Sequence, residues 1–365
     1  MVPKTMKAAQ GKNFGSIDEV LSVQESVPTP NLDDPYTPTE NIHPLIKMAT
    51  REDRKTHMII QTLSVALAPG DCRVLSGRTS RFQGPPSFPY IPGGDCCGIV
   101  VQTNPQDDYF QVGDVVAARF TNAPRDAMGE YARVSTTVCE KVDTSLVSPD
   151  EAAVLASASP AVVLSESIRP GERVLILGAG GGVGSHLCQL ARMKGASYIC
   201  GVSETPQRLL EEPLACDDAI DYNKESVYEL SKYQKERFDT IIDLACGGWP
   251  ELVKNSRNNL PSIVKPATEG GRFLTPTSDV PWFDGSSMFQ LMAVFMFKPL
   301  WRYVASRIGF RSRRRLPTYT NVMGLPETRE IMTKTLGLAN EGNLKAVVDG
   351  PYPLTTIGVR RAFHK

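Results

Sequence analysis

Between Arg173 and Ala196 the chain reads RVLILGAGGGVGSHLCQLARMKGA: a short apolar run, a seven-residue segment containing five glycines, then a helical pattern. Few folds accept such a stretch, because it demands a strand, a tight turn and a helix in immediate succession. Leu187, Leu190, Ala191 and Lys194 fall at the spacing of an amphipathic helix. A turn without side chains lets backbone N–H groups approach a pyrophosphate closely, and the helix N-terminus adds about half a positive charge there. The register is Ala179-x-Gly181-x-x-Gly184, with alanine in the place of the first glycine of the dinucleotide fingerprint. A purely structural glycine turn is the alternative; the strand–helix context favours dinucleotide binding, with Ala179, Gly181, Gly182, Val183 and Gly184 as the phosphate cradle.

The segments around this turn extend the pattern. YICGV (198–202), FDTIIDLA (238–245) and GRFLTP (271–276) read as short buried strands separated by helical stretches, which implies a parallel sheet with crossover helices. From Met6 to about residue 160 the text is β-rich instead, with IIQTLSVALA (59–68), GIVVQ (98–102) and VVAARF (115–120) set between proline and glycine. A polar stretch from Pro28 to His57 reads as a long surface insertion, about 31–56. A length of 365 residues is enough for two domains with cores of their own.

The acidic residue that grips a ribose hydroxyl in NAD sites is expected about twenty residues beyond the fingerprint. Here that region holds Ser203 followed by Glu204. A serine removes the repulsion a carboxylate exerts on a 2′-phosphate, and Arg208 could pair with that phosphate. Glu204 points the other way, and Arg208 could equally be a solvated helix residue. The reading favours NADPH.

Forty basic residues balance forty acidic ones, so no global field favours nucleic acid. Eight cysteines without a C-x-x-C pair read as reduced, mostly buried thiols in an intracellular protein, cytoplasmic by default. MVPKTMKAAQGKNFG lacks an apolar core of secretory length, and the longest apolar run, Met288 to Phe297, is too short to span a bilayer.

These features, together with PGGDCCGIV (92–100), VGDVV (112–116), GEYARV (129–134), FDTIIDLACGG (238–248) and EGNLKAVVDGPYPL (341–354), resemble the medium-chain dehydrogenase/reductase superfamily, and within it the zinc-independent quinone oxidoreductase and enoyl reductase branch. The resemblance implies an α/β protein: a doubly wound Rossmann domain over about 160–323 and a β-rich GroES-like catalytic domain over 1–159 and 324–365. It implies hydride transfer from NADPH to a small hydrophobic carbonyl substrate, either a quinone or an α,β-unsaturated carbonyl or enoyl double bond. It adds Ser203, Arg208 and Tyr222 as the 2′-phosphate pocket, although Tyr222 could be a packed strand-end aromatic. Similar zinc enzymes carry G-H-E-x-x-G where this chain has Gly93-Gly94-Asp95-Cys96-Cys97-Gly98, so the ligand histidine is absent and no metal is expected.

The substrate side departs further from the family. Ala68 stands where asparagine is usual, Thr79 where a tyrosine serves as proposed proton donor, and Ala161 where a threonine lies near the nicotinamide. Asp71, Cys72 and Asp95 remain as polar catalytic candidates, each as readily structural. The alternative reading is therefore a weakly catalytic or non-catalytic NADPH-binding protein acting as a partner or membrane-surface adaptor; a zinc alcohol dehydrogenase is a third.

Two segments stand apart. Residues 286–316 combine an apolar stretch, a proline break and a Trp/Tyr-rich helix ending in Arg311, Arg313, Arg314 and Arg315. They read as a helix pair over the cleft or at a dimer interface, or as a peripheral membrane contact through 287–315. At the other, the family's closing strand would follow Arg361–Lys365, so the expectation is a truncated chain or a small domain without that edge strand. By analogy with the family, a homodimer would form through a sheet edge near Tyr319–Met323.

Overall fold

The computed structural model describes residues 2–33, 57–78, 87–104, 107–119, 126–279, 292–308, 316–322, 325 and 327–364. Most of the 31–56 insertion, Thr79, Met323 and the Arg311–Arg315 cluster lie outside them. The chain divides into two compact units, Met1–Ser159 with Glu327–Lys365, and Pro160–Pro326.

The first unit opens with β1 (Thr5–Gly11), α1 (Ile17–Val20) and β2 (Leu21–Pro28), the two strands pairing antiparallel. It continues through β3 (His57–Ala66), α2 (Pro69–Leu75), β4 (Asp95–Gln102), β5 (Val115–Arg119), β6 (Tyr131–Ser135), β7 (Cys139–Lys141) and α3 (Pro149–Ala158). A five-stranded antiparallel sheet results, in the order β6-β3-β4-β5-β7. Alternate residues of its strands, among them Met58, Ile60, Val100, Val116 and Val134, share one buried cluster with Phe110. That alternation is the period-2 signal of a sheet with one face on a core.

The second unit runs α4 (Pro160–Ser165), β8 (Arg173–Leu177), α5 (Gly182–Met193), β9 (Tyr198–Ser203), α6 (Pro206–Leu210), β10 (Asp218–Asp221), α7 (Ser231–Lys235), β11 (Thr240–Asp243), α8 (Gly248–Arg257), β12 (Arg272–Thr275), α9 (Lys298–Ile308) and β13 (Thr318–Asn321). Its six strands are all parallel, in the order β10-β9-β8-β11-β12-β13. Counted from β8 this is 3-2-1-4-5-6, the doubly wound order whose direction reverses between β8 and β11. Strands β8, β9, β11 and β12 are buried almost throughout, with apolar residues filling β8 and the centres of β11 and β12, as a sheet covered on both faces requires. Trp249, Phe273 and Tyr319 pack edge-to-face and stacked at ring separations of 4.7–6.0 Å within its core. The chain then returns to the first unit as α10 (Arg329–Asn340) and α11 (Thr356–Phe363), where Arg360 Nε donates to the Leu21 carbonyl and Thr356 Oγ1 accepts from Val23 N–H.

Two local expectations need correction. DAID (218–221) forms a strand that the pattern of apolar runs does not reveal, because only Ile220 is fully buried on this outer position of the sheet. Pro299 does not break the helix before Trp301. Ala293–Phe297 widens into a π-helical turn that runs straight into α9. A proline ring clashes with the carbonyl four residues back and offers no N–H, and a widened turn accommodates both.

Candidate functional site

The glycine segment lies at the carboxyl end of β8, beside the point where the sheet order reverses. Its first two peptides are pinned to the neighbouring strand: the Gly178 and Ala179 N–H groups both donate to the Val202 carbonyl, at 3.1 and 3.0 Å. Gly181 N–H then donates to the Gly178 carbonyl at 3.2 Å, closing the turn, and Gly181 caps α5 in an extended conformation. The first N–H groups of α5 have no carbonyl one turn earlier to bond, so they point out of the helix end.

The glycines divide by what surrounds them. A methyl on Gly184 would come within 2.2 Å of the Gly178 carbonyl oxygen, so this glycine lets the helix sit against the turn. A methyl on Gly180 would meet Ser203 Oγ at 2.3 Å. By contrast, a methyl on Gly182 would meet nothing within 4 Å, and Gly181 only the Gly178 oxygen at 3.5 Å. Gly180, Gly181 and Gly182 are exposed while Ala179 and Gly184 are buried. The turn is thus packed on its inner side and open on its outer side, where a phosphate group would fit.

The alanine at the first fingerprint position has its own compensation. A methyl on Gly201, in mid-β9, would lie 2.9 Å from the Ala179 methyl. The side chain that Ala179 adds is accommodated by one that Gly201 lacks.

Ser203 is buried at the end of β9, and its Oγ accepts from Thr205 N–H at 3.2 Å. Glu204 is exposed and its carboxylate accepts from the Tyr222 hydroxyl at 3.3 Å. Burial first, and then the charge of that carboxylate, raise the Tyr222 pKa above the ordinary phenol value. Arg208 stands exposed on α6, with no carboxylate or hydrogen-bond partner among the described residues. Val183, half-buried, occupies the first turn of α5.

Two features of this region escaped sequence reasoning. Asp243 ends β11 and is 2% exposed; its oxygens accept from Ala245 N–H at 3.0 Å and Gly248 N–H at 2.8 Å, shaping the exit turn. Burial raises its carboxyl pKa despite those bonds. This turn flanks the glycine segment, since Leu244 N–H donates to the Leu177 carbonyl and Gly178 lies against Ala245. The other feature is His186, fully buried on α5, with Nδ1 2.7 Å from the Gly182 carbonyl. Burial lowers its pKa, so the ring is neutral, Nδ1 donates, and Nε2 is a buried acceptor without a hydrogen-bond partner among the described residues. The strand-end aspartate of FDTIIDLACGG was the available signal for the first; nothing in the sequence marks the second.

The three catalytic candidates belong to the other unit. Asp71 is 1% exposed, and its two oxygens accept from Ala68 N–H at 3.0 Å and Gly93 N–H at 3.2 Å, so its carboxylate ties α2 to the segment before β4. Asp95 is 3% exposed and lies 3.4 Å from Arg119 Nη1, which also donates to the Ser157 carbonyl, while Arg119 Nε lies 3.5 Å from Glu327. That cluster joins β4, β5, α3 and the returning C-terminal segment. Cys72 is half-buried; burial first, then the Asp71 charge, raise its thiol pKa. Burial likewise pushes the Cys97 thiol up to about 12. All eight cysteines are free thiols, and among the described residues no three His, Cys, Asp or Glu side chains are grouped to hold a metal ion. Ala161 is buried on α4.

Residues 54–148 match the alcohol dehydrogenase GroES-like domain. Similar proteins include the 2-methylene-furan-3-one reductase of Solanum lycopersicum, 28% identical over 76% of this chain, and the chloroplastic NADPH-dependent alkenal/one oxidoreductase of Arabidopsis thaliana, 26% identical over 76%. The matched region spans 64% of the length of each. Among solved structures, the Escherichia coli quinone oxidoreductase complexed with NADPH superposes with a TM-score of 0.65 at 18% identity, covering 98% of this chain and 95% of that one. The chain thus carries the alcohol dehydrogenase GroES-like domain in its first unit and a doubly wound six-stranded sheet in its second, the fold it shares with that solved structure. Its sequence relatives include quinone and alkenal oxidoreductases.

Proposed function

We propose that the chain is an NADPH-dependent, zinc-independent oxidoreductase that reduces a quinone or an activated double bond, α,β-unsaturated carbonyl or enoyl, by hydride transfer. The observation that carries this reading is the outer side of the glycine turn, where Gly181 and Gly182 leave open space in front of the α5 N-terminus. The N–H groups of Gly182, Val183 and Gly184 would hold the pyrophosphate, with Ala179 shaping the turn beneath. Arg208, exposed and without a partner among the described residues, would take the 2′-phosphate beside Ser203, and Tyr222 would border that pocket while holding Glu204. NADPH, when bound, supplies the hydride from its nicotinamide; the protein supplies position and a field that favours anionic groups.

Titration calorimetry tests the cofactor assignment. NADPH should bind more tightly than NADH, and Arg208→Gln should weaken NADPH by roughly 10- to 100-fold, the worth of a charge-assisted hydrogen bond, while leaving NADH unchanged. Tighter NADH binding would instead make Glu204 the ribose ligand. Stopped-flow loss of NADPH absorbance with quinones, enones and enoyl thioesters tests the reaction.

A second reading, an NADPH-binding protein with little catalysis, is favoured by one observation: both carboxylates among the catalytic candidates are already engaged, Asp71 with backbone N–H groups and Asp95 with Arg119. NADPH binding without turnover of any of these substrates would select it.

A further inference from the structure

Helix α9 is built inside out. Its inward residues are small, Ala305 and Ser306, and Ser306 Oγ accepts from Tyr319 N–H at 3.1 Å, seating the helix on edge strand β13. Its large apolar residues face solvent: Leu300 is 57% exposed, Trp301 56% and Tyr303 42%, and the stripe continues back through Phe297 and Met296 in the π-helical turn. Spacings of three and four residues from Met296 through Leu300 to Tyr303 keep these side chains on one face. Amphipathic helices of soluble proteins bury that stripe, and a contiguous exposed one marks an interaction surface.

Among the described residues, the charge left unpaired beside the stripe is positive. A groove of about 360 Å³ between α8 and α9 has Trp249 and Trp301 in its walls and Lys254, Arg257, Lys298 and Arg302 around it. Arg302 is spent on Asp279, with two hydrogen bonds of 2.6 Å, and Lys254 on Glu251. Arg257 and Lys298 are exposed and without a carboxylate partner among the described residues. Arg307 lies over the Tyr303 ring, 3.6 Å from its centroid.

We propose that this face docks the protein onto a bilayer surface that contains anionic lipid: Met296, Phe297, Leu300, Trp301 and Tyr303 enter the interfacial region, and Arg257 and Lys298 meet lipid phosphates and carboxylates. Aromatic and aliphatic side chains projecting from one helix face, flanked by cations, match an interface that is apolar beneath and negative on top. A second copy of the chain suits it less well, because a two-fold contact sets the patch against itself and brings Arg257 and Lys298 of both copies together uncompensated. The proposal stands whether or not the chain reduces a quinone.

The test is co-sedimentation of the full chain with phosphatidylcholine vesicles, with and without phosphatidylserine. Binding should require phosphatidylserine and fall as salt is raised. Arg257→Gln/Lys298→Gln should lower the partition coefficient by on the order of twentyfold, about fivefold per cation. Leu300→Ser/Trp301→Ser should lower it at least as far, whereas Ile357→Ser, at a still more exposed apolar residue of the other unit, should change nothing. All variants alter exposed side chains and should keep the wild-type melting temperature. Equal binding to both vesicle types, or binding that survives the two double substitutions, overturns the proposal. So does a dimer in sedimentation velocity that Leu300→Ser/Trp301→Ser converts to monomer without any vesicle binding, which would make the occupant a second copy.

Discussion

The glycines of the 178–184 turn do two different jobs, and single substitutions separate them. Gly184→Ala forces a methyl against the Gly178 carbonyl oxygen and should cost more than about 2 kcal/mol of stability in urea unfolding. Gly182→Ala meets no protein atom and replaces glycine by the best helix former, so stability should hold or rise by up to about 1 kcal/mol. Its methyl would nonetheless occupy the open face of the turn, and NADPH affinity should drop by roughly tenfold. Equal loss of stability in both variants would contradict the division. His186 provides a pH signature. Its folded pKa lies below the unfolded value near 6.5, so the unfolded chain takes up a proton first, and stability is lost as pH falls from about 6.5 toward the lower folded value. Between pH 8 and pH 5.5 the wild type should therefore lose more stability than His186→Gln, by up to about 1.4 kcal/mol per pH unit below 6.5. Much of this was legible in the sequence: the five glycines, their place after a β-strand and the alanine in the first position. The compensation between Ala179 and Gly201 was not, because the glycine that makes room belongs to a neighbouring strand and no local pattern links the two.

At the level of elements, the amino ends of the Rossmann strands are joined by a polar knot. The Arg272 guanidinium of β12 donates to both Glu172 oxygens at 2.5 Å, to Thr240 Oγ1 of β11 at 2.8 Å, and to the Ser167 carbonyl. Both side chains of the ion pair are less than a fifth exposed. Removing one partner leaves the other buried and uncompensated, so Arg272→Met should cost about 3–5 kcal/mol, while Arg272→Met/Glu172→Leu should regain much of it. Additive losses in the double variant would show that the pair is not coupled. Nothing in the sequence pairs Glu172 with Arg272, since their meeting depends on the strand order. The parallel strands were readable where they are apolar on both faces, as RVLIL is. The strand at 218–221 was missed because an edge position buries too little to leave an apolar run. The proline at 299 misled for a related reason: its cost in a regular helix is real, but a π-helical turn absorbs it, and that widening has no sequence signature of its own.

At the scale of the whole molecule, each unit has its own buried clusters, and the chromophores are unevenly shared between them. All three tryptophans, 249, 282 and 301, fall within 160–326, the unit that carries the glycine turn. Trp249 is 3% exposed in that unit's core against Phe273 and Tyr319, so its emission reports whether the Rossmann sheet is intact. A ligand that binds only the folded state adds RT ln(1 + [L]/Kd), about 2.7 kcal/mol at a hundredfold excess over Kd. For a unit of this size that corresponds to a rise of roughly 5–10 °C in the fluorescence-detected midpoint with NADPH. The far-UV signal comes from both units, so it discriminates between two ways of unfolding. If the units unfold separately, NADPH should shift one of two far-UV phases, the one coincident with tryptophan emission, and leave the other in place. If they unfold together, both probes should move as a single transition. Where the units unfold separately, a fluorescence midpoint unmoved by saturating NADPH while the other phase shifts would place the nucleotide outside the 160–326 unit; where they unfold together, an unmoved single transition would mean that NADPH does not bind, and either result removes the glycine turn from the functional reading.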